Sequence, residues 1–133
     1  MQTKIKRALL LLYQVRPNAP LTATGVTGTE DSTGAIDLDW DDMDGAESYV
    51  IHCSPANDPD PHNAIYMFYS ETSDYRFTPS KLQAHEVGDD LYFWVQTFNV
   101  KGVGANETEK AEYLNTTQLG SAWSDVVKIT TTK

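Results

Sequence analysis

The chain has 133 residues, 40% of them hydrophobic and 11% aromatic, and a formal net charge of −9. That gives room for one domain with enough interior to be stable without a metal or disulfides, and no apolar run approaches the length that spans a bilayer. The charge is segregated. Residues 1–16 carry Lys4, Lys6, Arg7 and Arg16 and no acid, so residues 17–133 hold all nineteen acids against six bases, a body of −13 beside an arm of +4. Such a body is repelled by phosphate backbones, which argues against nucleic acid as the main ligand, whereas the arm is drawn to any acidic surface, the body of a neighbouring copy included.

The opening stretch, residues 1–15, sets a basic cluster before the short apolar run Ala8 to Tyr13, which is followed at once by Gln14, Val15, Arg16 and Pro17. A secretory signal needs a longer apolar core and a small-x-small cleavage site, so the reading is a retained arm over residues 1–16, with an atypical export signal as the competing one. A retained arm is a hydrophobic strand or short helix with a basic end, and it docks on its own sandwich or on another subunit. Lys4, Lys6, Arg7, Leu9, Leu10, Leu11, Leu12 and Tyr13 are therefore candidate partner-binding residues.

From about residue 20 onward, short alternating segments separated by turn residues give an all-β pattern. Ile36, Leu38 and Trp40 share one face of a strand and Ala35, Asp37 and Asp39 the other. Asp41 to Gly45 breaks that strand, and Tyr49, Ile51 and Cys53 then alternate inward against Val50, His52 and Ser54. Three prolines between Pro55 and Asn63 make a loop before a strand over Ile65 to Tyr69. Tyr75 to Thr78 is another short strand, Leu91 to Asn99 the longest, and Val126 to Thr130 the last. Residues 100–123, with Gly102, Gly104 and Gly120, form a long loop whose middle, Glu107 to Leu114, makes a helical turn or two.

Pro17-Asn-Ala-Pro20 opening the first strand, Trp40 ending the second, Ala46 to Ile51 in the third, Val95 to Gly102 in the sixth and Ser121-Ala-Trp123-Ser124 before the last together resemble a fibronectin type III domain over residues 17–133. The resemblance implies a seven-stranded, two-sheet sandwich with an extended N-terminal arm and a long loop before the last strand. It also implies that Leu91, Phe93, Val95 and Thr97 face the core. The chain departs from the family pattern at Leu91, where a tyrosine is usual and Tyr92 stands beside it, and in the lengths of the loops before the sixth and seventh strands. It has no Arg-Gly-Asp tripeptide, so integrin binding is not carried over.

On that alignment Tyr92, Trp94 and Phe98 form an outward aromatic row, a candidate partner- or glycan-binding surface, with covering by the inserted loop or a partner subunit as the favoured reading. The aspartates between Asp37 and Asp44 lack the spacing and distal Glu of a calcium loop and read as a solvated turn, and no metal site is expected. His52, His62 and His85 fall in separate segments without zinc spacing. Cys53, the only cysteine, excludes an internal disulfide, a Cys-based zinc site and a Cys-x-x-Cys pair, and reads as a buried structural thiol. Asn106-Glu-Thr108 and Asn115-Thr-Thr117 fit the N-glycosylation pattern, informative only in a secreted eukaryotic chain.

No nucleophile elbow or phosphate-binding glycine loop is present, so neither catalysis nor a cofactor is expected. Small domains resembling this family occur as decoration or tail components of phage virions and on bacterial surfaces. The expectation is a structural or adhesive module of a virion, anchored by its arm to other protein subunits. The alternative is a secreted or cell-surface module that binds a host glycan or receptor.

Overall fold

The computed structural model describes residues 19–57 and 66–133. Among the described residues there are seven strands, β1 (Thr27–Glu30), β2 (Ile36–Asp39), β3 (Ser48–Ser54), β4 (Tyr66–Ser70), β5 (Asp74–Phe77), β6 (Asp90–Phe98) and β7 (Val127–Thr130), and an α-helix, α1 (Glu107–Thr117), between β6 and β7. Every pairing is antiparallel, and the strands make a three-stranded sheet in the order β1-β2-β5 and a four-stranded sheet in the order β4-β3-β6-β7. The period-two alternation accounts for this directly. Ile36 and Leu38 of β2, Phe77 of β5, Tyr49, Ile51 and Cys53 of β3 and Leu91, Phe93 and Val95 of β6 turn toward one another and form the core between the sheets. Each such fully buried large side chain contributes about 2 to 3 kcal/mol relative to exposure. The outer face of the three-stranded sheet stays polar, carrying Asp37, Asp39, Asp74 and Arg76.

The first strand begins later than Pro17 and Pro20 suggest. Residues 19–26 form no strand and bend at Gly25, and ladder pairing starts at Thr27, opposite Asp39.

The outer face of the four-stranded sheet is the unusual part of the sandwich. All seven residues of β3 are buried, including the outward set Val50, His52 and Ser54, because the segment between β6 and β7 folds back over them. Its centre is an eleven-residue helix rather than a turn or two. The Asn106 side chain caps the first turn by accepting from the Glu109 N–H at 2.9 Å, and the Glu109 carboxylate accepts from the Ala105 N–H at 2.9 Å. Glu107 and Glu109 also suit the positive end of the helix dipole. Ala111 and Leu114, three residues apart, then bury against Val50, Tyr69 and Phe98 to form a second core outside the sandwich.

Two glycines make that approach feasible. A Cβ on Gly102 would stand 2.7 Å from the Tyr69 ring, and one on Gly120 would stand 2.5 Å from Gln96 Nε2 and 2.7 Å from Phe98 Cζ. A serine pair completes the return to β7. The Ser121 and Ser124 N–H groups donate to the Thr97 and Val95 carbonyls at 2.9 Å, while their hydroxyls accept from the Thr97 and Val95 N–H groups at 2.9 Å. Side-chain oxygens thus stand in for strand carbonyls, and three residues advance where β6 advances two, as at a bulge. The bulge swings Trp123 over the outer face of the sheet.

Candidate interaction surfaces

The aromatic row is largely covered, as the favoured reading of the sequence has it. Trp94 is 2% exposed and Phe98 1%, and only Tyr92 remains half-buried. Strand alternation does send all three outward, but α1 covers Phe98, and Trp123 lies beside Trp94 with ring centroids 5.4 Å apart. Tyr92 stacks on Trp94 at 6.5 Å at the edge of this covered zone. The face is closed by the chain's own inserted loop, so Trp94 and Phe98 offer no platform to a glycan or partner.

Beneath this cover sits His52, stacked on Trp123 with centroids 4.0 Å apart and planes 22° from parallel. Nε2 lies 3.1 Å from the Gln96 side-chain oxygen, and Nδ1 is buried without a partner. Burial lowers the His52 pKa to about 4, with the Gln96 contact opposing, so the ring is neutral at pH 7. Burial likewise pushes the Cys53 thiol up to about 12, and its Sγ lies 3.3 Å from Gln83 Oε1. A thiol held in that state is inert.

Other polar residues fasten elements together. Tyr75 donates to Glu107 Oε1 at 2.5 Å and receives Lys81 Nζ at 3.0 Å, tying β5 to the first turn of α1. Burial first, then the Glu107 carboxylate, raises the Tyr75 pKa well above the usual phenol range. Tyr69 donates to Glu71 and accepts from the Gly102 N–H, and burial followed by Glu71 pushes it up to about 12. The aspartates are dispersed in role. Asp37 and Asp31 both bind the exposed Arg76 at 2.8 Å, whereas Asp41 accepts from the Thr24 hydroxyl at 2.7 Å. Among the described residues no group of three or more His, Cys, Asp or Glu side chains could hold a metal ion.

Of the two glycosylation triplets, Asn106 is committed to capping α1, and Asn115 is exposed on the same helix. His85 sits in the loop before β6 with Nδ1 2.9 Å from the Gln83 carbonyl, far in sequence from His52, while His62 lies outside the described residues.

An open surface appears where the sequence offered no signal. The chain leading into β1 and the chain leading into β7 flank a groove of about 450 Å³ lined by Thr22, Ala23, Gly25, Val26, Trp123 and Asp125. Leu21, 56% exposed, and Val126, 38% exposed, adjoin these stretches in sequence. The arm residues Lys4, Lys6, Arg7, Leu9, Leu10, Leu11, Leu12 and Tyr13 lie outside the described residues.

No family model matches the chain, and no curated protein does. Among solved structures, an Fn3-like protein from Clostridium thermocellum superposes with a TM-score of 0.55 at 19% identity, covering 84% of this chain and 92% of that one. A mutant form of FN3tt gives a TM-score of 0.55 at 13% identity, covering 87% of this chain and all of that one. With the strand order above, these likenesses establish a fibronectin type III fold. At such identities they establish the fold alone.

Proposed function

We propose that this chain is a non-catalytic structural module of a larger assembly, specifically a virion decoration or tail protein that displays its sandwich and is anchored through its N-terminal arm. The observation that carries the reading is the division of charge: all nineteen acids lie in the body and four of the ten bases lie within residues 1–16. A basic, leucine-rich segment attached to an acidic domain is built to hold an acidic protein surface by apolar burial and charge complementarity together. The fold supports the non-catalytic part, since a sandwich of this type presents edges, loops and faces for contact. The alternative, a secreted or cell-surface glycan- or receptor-binding module, drew its support from an exposed aromatic row, and the burial of Trp94 and Phe98 removes that support.

Cross-linking of the native assembly with an amine-to-carboxylate reagent, read by mass spectrometry, tests the reading. Lys4 or Lys6 joined to an acidic residue of another subunit is the expected result. A compact monomer whose residues 1–16 form no cross-link to another subunit in its native source would overturn it.

A further inference from the structure

We infer that the groove between the leading ends of β1 and β7 is a strand-accepting site, and that its occupant is the N-terminal arm of a second copy of this chain. The inference rests on the arm-anchored reading above and names the partner.

The first ground is unpaired backbone. β1 and β7 are edge strands of their respective sheets and lie against each other. Their leading segments separate around the groove, and among the described residues no backbone hydrogen bond joins 22–26 to 123–126. Among the described residues the backbone bond made by 19–26 is the Thr24 carbonyl accepting from the Asp41 N–H at 3.0 Å. The outer edge of an edge strand is a template for one more strand.

The second ground is chemistry. Ala23, Val26 and the half-buried Trp123 give the groove apolar walls, and the exposed Leu21 and Val126 adjoin the lining stretches in sequence. Asp125 lines the groove, and Asp41 is held beside it by Thr24. The arm matches both properties: Ala8 to Tyr13 supplies apolar side chains on alternate positions whichever face turns inward, and Lys4, Lys6, Arg7 and Arg16 supply the opposite charge.

The third ground is reach. Sixteen residues extend to about 50 Å, ample to cross to a neighbour. Pro20 pushes Ala19 toward extended backbone, which disfavours the tight reversal a chain needs to lie beside its own residues 21–26. Donation to another copy relieves that constraint.

The test is the molar mass of the full chain by light scattering from about 1 µM to about 1 mM, the range in which an interaction of moderate affinity shows itself. Three proteins are compared: the unaltered chain, a groove variant with Thr22→Lys and Asp125→Lys, and an arm variant with Leu10→Asp and Leu12→Asp. Both groove positions are exposed, and an unchanged near-ultraviolet spectrum checks that each variant is folded. The expected result is concentration-dependent self-association of the unaltered chain, weakened at least tenfold by either pair of substitutions. Amides of residues 22–26 gain protection from hydrogen exchange in the associated form. Association weakened by the arm variant alone would overturn the groove while leaving the arm-anchored reading in place. A chain that stays monomeric over the whole range would overturn the second copy as occupant, and the cross-linking experiment decides the assembly reading separately.

Discussion

Burial between β3 and the returning loop keeps the His52 imidazole neutral, and that has a consequence for stability with a definite sign. Its pKa falls from an ordinary 6.5 to about 4 in the folded chain, so the unfolded chain binds the proton more readily. The His52 contribution is fully present above pH 6.5 and is lost progressively as pH falls toward 4, amounting to about 3 kcal/mol across the window. Urea midpoints of the unaltered chain and of His52→Phe, compared at pH 7 and pH 4.5, check this: the unaltered chain should lose more stability than the variant. Equal losses would show that another group governs acid sensitivity. Asp31, held below the usual carboxylate range first by Thr33 and then by Arg76, titrates lower and does not mimic the effect. At the same scale, Ser124→Ala deprives the buried Val95 N–H of its acceptor and should cost about 1 to 3 kcal/mol, measured by the same unfolding curves.

At the scale of elements, α1 and the serine pair turn a two-layer sandwich into one with a third, partial layer. Asn106→Ala removes the cap and should cost about 1 kcal/mol. Gly120→Ala forces a methyl into Gln96 and Phe98, so the loop must lift. Hydrogen exchange should then rise across residues 107–124 while β2 and β3 stay protected. The strands were legible because one wet face gives a period of two, and Ile36, Leu38, Tyr49 and Ile51 show it plainly. Alternation also assigns Trp94 and Phe98 correctly to the outer face, and the size of that apolar row favours a cover, but the sequence does not say that α1 and Trp123 supply it. The helix was visible only in part because two positions, Ala111 and Leu114, are buried, and because its end carries Thr116 and Thr117, poor helix formers whose hydroxyls bond back to Glu112 and Tyr113. The groove left no local trace, since it arises from two segments a hundred residues apart, and Pro17 and Pro20 point to a strand that the backbone does not begin until Thr27.

At the scale of the whole molecule, the described residues give one outer face covered by the chain itself, an opposite outer face that is polar and acidic, and an open groove with apolar walls beside the edge where β1 and β7 meet. A body of −13 resists close packing with its own kind unless positive charge is supplied, and the arm supplies it. Association through the arm should therefore weaken as salt rises from about 0.05 M to about 0.5 M, because the charge term is screened while the leucine contacts persist. Strengthening with salt would mean that burial of apolar surface alone drives assembly.

Anchoring through the arm requires that residues 1–16 belong to the working protein, which makes the intact mass and N-terminal sequence of the protein from its native source the most direct measurement. The account predicts a chain that retains residues 1–16. A chain that begins near Arg16 or Asn18 would contradict it, since the segment proposed to anchor the sandwich would have been removed before the protein reached its place of work.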